Sequence, residues 1–329
     1  MEFGTLNFLE LSPEILRYLR SEGYTGLAQV KLPSAGSAGS GRKYYRLQFA
    51  QRSYVLQQSF AADQDFHRFI QYAQVFSNLG LQNPEIYAFC PERFQVLMED
   101  LGSQDLLSRA QLAFYPQVLE ALFRWQQHSD AAFELLPELV ERSFDFASLR
   151  WETEYFQEFF WQNQLNLNSC PAMELWFEQL AQRVALHPQV LMHRDFQSQN
   201  IMLTPQVRII DFQGARRGSA FYDLASLLWD PYTMLTPATV AELFAVWQGF
   251  NHAFAMQNAS QCFLDAALQR MMQALGAFAK LSKSLSGKNA DFFAGQIPRG
   301  VARLQSLLSQ LPTDDWGRAD FLPQLEKAL

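Results

Sequence analysis

The sequence has few cysteines, few charged residues and no long hydrophobic run. Its 329 residues include three cysteines, Cys90, Cys170 and Cys262, and none belongs to a C-x-x-C pair. A sparse, odd set of cysteines argues against a disulfide framework or a zinc site and favours reduced thiols. No stretch approaches the roughly eighteen apolar residues of a membrane span, and the first residues lack a basic segment followed by an apolar one. These absences predict a cytoplasmic protein without a membrane partner.

Basic residues are also in the minority. The chain has 26 lysines and arginines against 33 acidic residues, which gives a formal net charge of −7. A protein that binds duplex nucleic acid normally carries a basic stripe, and none is visible, so nucleic acid is not expected as a partner. What the chain has instead is apolar material, since 49% of its residues are hydrophobic and 29 are phenylalanine. This composition can fill a sizeable core and argues against global disorder.

The pattern of apolar residues changes near residue 101. Before that point the pattern predicts helices at 12–22 and 63–79 and strands at 29–32, 43–49, 54–57, 85–89 and 94–98. After it, amphipathic runs predict long helices at 104–128, 145–164, 171–186, 237–256, 259–285 and 291–311. We therefore expect an α+β protein with a small antiparallel-sheet lobe at 1–101 and a large, mainly helical lobe at 102–329.

One stretch, between residues 193 and 211, departs from the helical pattern. It reads H-R-D-x-x-x-x-N from His193 to Asn200 and is followed by I-D-F, in which the acid is Asp211. Phosphoryl transfer needs a carboxylate that orients an acceptor hydroxyl and oxygen ligands that hold Mg²⁺ against the phosphates. Asp195 fits the first role, and Asn200 and Asp211 supply the hard oxygen donors that Mg²⁺ prefers. The spacing predicts a catalytic loop and a hairpin that returns Asp211 to the same cleft.

These motifs resemble the aminoglycoside-phosphotransferase and choline-kinase branch of the protein-kinase-like fold. Within that branch they are most similar to the anomeric kinases of N-acetylmuramate and N-acetylglucosamine, in the segments 98–102, 192–196, 210–215 and 222–228. The resemblance implies a two-lobed kinase whose first lobe binds ATP, whose metal is Mg²⁺ and whose acceptor is an amino sugar. Gly214 is a departure, because those kinases tend to carry an acid after the glutamine.

A segment rich in glycine and serine lies between the strands predicted at 29–32 and 43–49. Its backbone N–H groups, at Gly36, Ser37 and Gly39, are suited to cover nucleotide phosphates. The kinase pattern would place a lysine on the strand at 54–57, where it would reach the α- and β-phosphates, but this sequence has Gln57 or Gln58 instead. An active kinase of the sugar 1-kinase type, which also lacks this lysine, and a catalytically silent nucleotide-binding protein both fit this replacement.

Other residues of the first lobe are candidates for nucleotide contacts. Arg42, Lys43 and Arg46 follow the glycine-rich segment and could supply the charge of the missing lysine. By resemblance, Glu99 and Leu101 correspond to hinge residues whose backbone groups hold the purine. An ordinary connection between a strand and a helix would look the same in sequence.

The acceptor is expected to bind to the second lobe. By resemblance, Trp151 and Glu154 lie on an acceptor-binding helix, where an aromatic face can pack on a sugar ring and a carboxylate can accept hydroxyl hydrogen bonds. Arg194, which can also brace the loop, and Gln213 are further candidates for substrate contacts. The cleft could also be rimmed by residues that lie further along the chain than the I-D-F motif, namely Trp229, Asp230 and Tyr232.

His193 and Asp223 are expected to support the catalytic loop rather than to react. Asp223 opens an apolar helical run, which it can cap, and its counterpart in the family holds the catalytic loop. Several alternatives for the acceptor remain open at this stage. An aminoglycoside, a choline-like amine or another sugar would fit the same motifs, and the protein could be a monomer or a dimer.

Overall fold

The computed structural model describes residues 3–5, 10–25, 29–31, 42–61, 63–109, 111–250 and 257–327. The chain divides into two compact units. The first contains residues 1–104 together with 202–213, and the second contains 105–201 and 214–329. The predicted glycine-rich loop, with Gly36, Ser37 and Gly39, lies outside the described residues.

In the described part of the chain, the first unit is built on a six-stranded antiparallel sheet. Its strands are β1 (Phe3–Thr5), β2 (Gln29–Lys31), β3 (Lys43–Gln48), β4 (Ser53–Gln58), β5 (Ile86–Cys90) and β6 (Gln95–Glu99), in the spatial order β1-β2-β3-β4-β6-β5. Neighbouring side chains along a strand point to opposite faces. Tyr54 and Leu56 therefore share one face, where they join a buried cluster with Ile15 and Leu19. Gln57 lies on the opposite face.

The helices of the first unit follow from local sequence signals. Helix α1 (Pro13–Ser21) begins where the Ser12 hydroxyl accepts a hydrogen bond from the Ile15 N–H at 3.4 Å, and a proline occupies its first position. Helix α2 (Phe66–Asn78) lies within the predicted range of 63–79 and buries its apolar stripe.

A short hairpin from later in the sequence belongs to the first unit. Its strands β8 (Ile201–Leu203) and β9 (Val207–Ile209) pair with each other, and the Ile209 N–H donates to the Gln82 carbonyl at 2.7 Å. The division drawn at residue 101 had assigned this hairpin to the second lobe. The local apolar pattern could not show the return of the chain, because the return depends on contacts between segments far apart in sequence.

The second unit is mainly helical. Its helices are α3 (Leu106–Arg109), α4 (Tyr115–Gln127), α5 (Ser129–Leu135), α6 (Glu138–Glu141), α7 (Phe146–Phe156), α8 (Pro171–Ala185), α9 (Tyr222–Leu228), α10 (Pro237–Phe250), α11 (Ala259–Ser284), α12 (Lys288–Leu308) and α13 (Leu322–Lys327). Strands β7 (Gln189–Met192) and β10 (Arg216–Ser219) form an antiparallel pair. The helix predicted at 104–128 is wrong as one element. It is divided before α4, where Pro116 lies in the first turn and cannot continue a preceding helix.

Helix α11 packs against α7, α9 and α12 and is the longest helix that the described residues form. Its approach to α7 depends on Gly276. A Cβ atom there would lie 2.8 Å from Cδ1 of Tyr155 and 3.1 Å from Cα of Phe156, closer than such atoms normally approach. The glycine therefore allows α7 and α11 to pack backbone against backbone.

The predicted fold class is confirmed. The protein is α+β, with a small antiparallel sheet in one unit and a mainly helical second unit. Within the described ranges, no helix is both long enough and apolar enough to cross a membrane.

Candidate active site

The catalytic loop follows β7 in the second unit. Asp195 lies at its centre with 38% of its side chain exposed, so the carboxylate is accessible to a substrate. The Asn200 side chain donates from Nδ2 to the Asp195 carbonyl at 2.8 Å, and the Asn200 N–H donates to the Gln197 carbonyl at 2.9 Å. Because the side-chain bond uses the nitrogen of Asn200, its carboxamide oxygen remains suited to bind a cation.

Two buried carboxylates from the region of α9 hold the loop at both ends. Asp223 accepts the main-chain N–H groups of His193 at 2.6 Å and of Arg194 at 2.9 Å. Asp230 accepts both the N–H (2.9 Å) and the hydroxyl (2.6 Å) of Ser198. Burial raises the pKa of Asp223 to about 7, although the two backbone hydrogen bonds oppose this change. The loop is therefore anchored by groups that do not belong to the motif itself.

The backbone and side chain of the residues before Asp195 are also constrained. Arg194 adopts φ +81°, a left-handed conformation that costs a non-glycine residue free energy and persists only where surrounding bonds enforce it. The Asp223 bond to the Arg194 N–H is one of these bonds. The His193 ring is buried beside the rings of Trp125 and Phe196, with centroid separations of 5.6 and 5.9 Å.

Asp211 belongs to the first unit and follows β9. It also has a left-handed backbone, with φ +65°. The next residue, Phe212, is buried and stacks on Phe69 of α2 with a centroid separation of 5.0 Å, which fixes the turn. Gln213 donates from Nε2 to Asp211 Oδ1 at 2.6 Å. Gln213, a candidate for substrate contact, thus orients the Asp211 carboxylate in this structure.

The side chains of Asn200 and Asp211 fit the chemistry of Mg²⁺. Each can offer a hard oxygen, one from a carboxamide and one from a carboxylate, and these are ligands that Mg²⁺ prefers. The Asn200 and Gln213 hydrogen bonds described above orient both groups from behind, as outer hydrogen bonds commonly do for metal ligands. Each of the two side chains therefore offers an oxygen that suits a divalent ion.

Two acids of α7, Glu152 and Glu154, differ in burial, and Glu154 is the one that the sequence makes a candidate for substrate contact. Glu154 is exposed and lies 3.6 Å from Arg150 in an ion pair, and Trp151 is 51% exposed. Glu152 is buried: its carboxylate accepts the Tyr222 hydroxyl at 2.8 and 3.0 Å and the Gln269 amide at 3.1 Å.

Helical periodicity could have indicated the buried position of Glu152. Leu149, Thr153 and Phe156 are buried on the same side of α7, at the spacing of a helical stripe that includes residue 152. An acid within an apolar stripe must find partners in the core. Burial raises the pKa of Glu152 to about 7, whereas Arg194 and the bonds from Gln269 and Tyr222 act in the opposite direction.

We expect Glu152→Gln to flatten the pH dependence of stability. The folded state holds the Glu152 proton more tightly than the unfolded chain, whose glutamate titrates near pH 4.3. The stabilisation of the folded state by the Glu152 proton is therefore complete below about pH 4.3. It is lost as the pH rises to about 7, and the free energy of unfolding falls by roughly 3 kcal/mol. The free energy of unfolding, measured by urea denaturation between pH 4 and 8, should fall less in the variant than in wild type. Glu178→Gln, at an exposed position of α8, should retain the wild-type slope, and an equal slope in Glu152→Gln would contradict the prediction.

The nucleotide-side candidates lie in the first unit. Gln57 is 1% exposed, and neither of its amide atoms has a hydrogen-bond partner within the described residues. Arg42 is engaged by Asp63 through two hydrogen bonds of 2.7 and 2.8 Å. Lys43 occupies the strand position opposite Gln58, so it belongs to the other face of the sheet.

The remaining first-unit candidates are likewise engaged. Arg46 pairs with Asp100 at 2.7 Å and donates to the Gly102 carbonyl at 2.7 Å. Glu99 forms an ion pair with Arg208, so its side chain fixes the hairpin, and any contact with a purine would come from its backbone. Leu101 follows β6 and is half-buried. Arg42 and Arg46 are thus held in ion pairs, and Lys43 lies on the face of the sheet opposite to Gln57.

Comparison with known proteins identifies the family. Residues 32–258 match the model of the family described as "Phosphotransferase enzyme family". Two curated relatives, from Pseudomonas putida and Pseudomonas aeruginosa, are both called N-acetylmuramate/N-acetylglucosamine kinase. The first is 28% identical over 318 residues, which cover 92% of this chain and 91% of the relative. The second is 29% identical over 308 residues, which cover 89% of this chain and 88% of the relative.

The fold is shared with solved kinase structures. A choline kinase from Streptococcus pneumoniae superposes with a TM-score of 0.59 over 89% of this chain and 98% of its own, at 14% identity. The match to the family model confirms the family predicted from the motifs. The chain belongs to the phosphotransferase enzyme family and is a small-molecule kinase that transfers phosphate to a hydroxyl acceptor.

Proposed function

We propose that the protein uses ATP and Mg²⁺ to phosphorylate the anomeric hydroxyl of an amino sugar, N-acetylmuramate or N-acetylglucosamine. The observation that carries the proposal is the exposed Asp195 carboxylate on a loop that Asp223 and Asp230 anchor at both ends. The amino-sugar acceptor is supported by the names of the two Pseudomonas relatives, which align with about nine-tenths of the chain.

In the proposed reaction, the acceptor hydroxyl donates a hydrogen bond to Asp195. As the hydroxyl oxygen bonds to the γ-phosphorus, the bond from that phosphorus to the β–γ bridging oxygen breaks and ADP leaves. The hydroxyl proton passes to the Asp195 carboxylate and from there to water. Asn200 and Asp211 would hold Mg²⁺, which when bound neutralises charge on the phosphates. The remaining contribution of the protein is to position the two substrates.

The sugar and nucleotide contacts are part of the same proposal. The exposed Trp151 ring, stacked on Tyr155 with a centroid separation of 4.9 Å, offers an aromatic face for a pyranose. Arg194 and Glu154 are candidates for hydroxyl contacts. For the nucleotide, the amide of Gln57, which has no partner among the described residues, offers a donor and an acceptor. The backbone groups of Glu99, Leu101 and the glycine-rich segment are the other candidates for nucleotide contacts.

A panel of acceptors tests the function. Purified wild-type protein is incubated with ATP, Mg²⁺ and, in turn, N-acetylmuramate, N-acetylglucosamine, glucose, choline and an aminoglycoside, with Asp211→Ala as the background. We expect a mass increase of one phosphate on the two N-acetylated sugars, and the products should lose their reducing end because the anomeric position is blocked. Phosphorylation of choline or the aminoglycoside alone would contradict the proposal that the acceptor is an amino sugar. ATP binding without turnover on any acceptor would indicate a silent module.

A further inference from the structure

Arg270, in the middle of α11, extends from outside the sequence motif to the catalytic loop. Its Nη2 lies 3.7 Å from Oδ1 of Asp195 and 3.4 Å from Oε1 of Gln197. Its Nε donates to the Ser226 hydroxyl at 3.1 Å, and its Nη1 donates to the Gln273 side chain. One guanidinium group therefore connects α11, α9 and the catalytic loop.

The position of Arg270 is unusual for a charged side chain. Only 11% of it is exposed, although a buried charge is costly unless it is paired and hydrogen-bonded. Burial lowers the pKa of Arg270, but the effect is outweighed by nearby acidic groups, which include Tyr222, Asp195 and Glu152. The acidic groups around the catalytic loop thus explain why Arg270 stays charged although it is buried.

The contacts of the Asp195 carboxylate differ at its two oxygens. Oδ1 faces Arg270. Oδ2 is the oxygen beside Gly214, where an added Cβ would lie 3.9 Å away. Even a Cβ atom would lie at ordinary van der Waals distance, so Gly214 does not crowd Oδ2. The ion pair with Arg270 therefore distinguishes the two oxygens and can hold the carboxylate in one rotamer.

We propose that Arg270 is a positioning residue for phosphoryl transfer: it holds Oδ1 of Asp195 so that Oδ2 is presented to the acceptor hydroxyl. The inference rests on the kinase function proposed above. It adds a residue from α11 to a catalytic loop that is otherwise anchored by Asp223 and Asp230. Ser226 and Gln273 fix the guanidinium, and the Gln269–Glu152 bond fixes the same turn of α11 against α7.

The expected signature is a loss of turnover without a loss of nucleotide binding. A reacting group that is misplaced by about 1 Å can cost about 100-fold in rate, and such a loss appears in kcat when the group acts mainly in the transition state. Arg270→Met keeps an unbranched apolar stem, shorter than that of arginine, and removes the charge. We expect its kcat to fall about 10- to 100-fold while the KM for ATP stays close to the wild-type value.

Two further variants separate positioning from folding. Arg270→Lys restores a cation and should recover part of the lost kcat. Arg270→Ala leaves space for a soluble guanidinium, so added ethylguanidine should raise its kcat while leaving that of wild type unchanged. The matched control is Arg183→Met, which removes a different ion pair to α11, the one with Asp265 at 2.9 Å. It should lower thermal stability but keep wild-type kcat.

The experiment measures kcat, KM and melting temperature for all variants with the acceptor that wild type phosphorylates. Wild-type kcat in folded Arg270→Met would overturn the inference and leave the kinase function standing. A loss of kcat that only tracks melting temperature, without recovery by lysine or ethylguanidine, would also overturn it. A wild-type protein that transfers phosphate to no acceptor would refute the proposed function itself, and the inference with it.

Discussion

Asp195→Asn is expected to lower kcat by about 10²- to 10⁴-fold, the usual contribution of a positioned general base. The substitution preserves the shape of the side chain, but a carboxamide cannot take up the proton of the acceptor hydroxyl. Asp195 is partly exposed, and the bond from Asn200 reaches its backbone carbonyl rather than its carboxylate. The loop should therefore keep its structure, and ATP binding should be retained. Turnover is measured by product mass, and folding by circular dichroism and melting temperature.

Asp130→Asn provides the control, because Asp130 is an exposed aspartate near the start of α5. It should match wild type in both turnover and melting temperature. If folded Asp195→Asn protein retained more than about a tenth of wild-type kcat, a value outside the range expected for a general base, the role given to Asp195 would be wrong.

Asp223→Ala is expected to lower both stability and activity. The substitution leaves the N–H groups of His193 and Arg194 without their acceptor, and each buried unpaired amide costs about 1–3 kcal/mol. Arg194 would also lose a bond that holds its left-handed backbone, so the neighbouring Asp195 should shift. We expect kcat to fall about 100-fold even at temperatures where the variant remains folded. Urea denaturation and steady-state kinetics measure the two effects.

Asp145→Ala is the matched control for Asp223→Ala. Asp145 also accepts a backbone N–H, from Ser148 at 3.0 Å, but it does so at the exposed start of α7. Its loss should cost about 1 kcal/mol of stability and leave kcat unchanged. Wild-type kcat in folded Asp223→Ala protein would show that the loop does not depend on this anchor.

The sequence was sufficient for the parts of the site that lie close together along the chain. The spacing of Asp195, Asn200 and Asp211 reflects a loop and a hairpin, both of which are local structures, so a single motif could predict them. The strands and helices around them could also be predicted where the spacing of apolar residues and the positions of turn-forming residues indicated the same element. The division of 104–128 was missed because the apolar pattern continues across it, although Pro116 marks the start of the new helix.

The parts that could not be predicted depend on tertiary contacts. Asp230 was expected to rim the cleft, but it is 1% exposed and bonds to Ser198. The resemblance pointed to Glu154, which is exposed, and gave no sign that packing against α11 buries the nearby acid Glu152. Arg270 lies within a long amphipathic helix, where an arginine normally indicates a solvated face. Only the packing of α11 against the loop makes it a neighbour of Asp195.

The close contact at Gly276 also restricts how the sequence can diverge. Any replacement adds at least one carbon atom where the gap to Tyr155 is 2.8 Å, and the neighbouring obstacle is the backbone of Phe156, which cannot rotate away. Divergence at this position would first require α7 to move outward, and that movement would carry Glu152 away from Tyr222 and Gln269. Gly276, a residue with no reactive group, thus supports the buried contacts of Glu152.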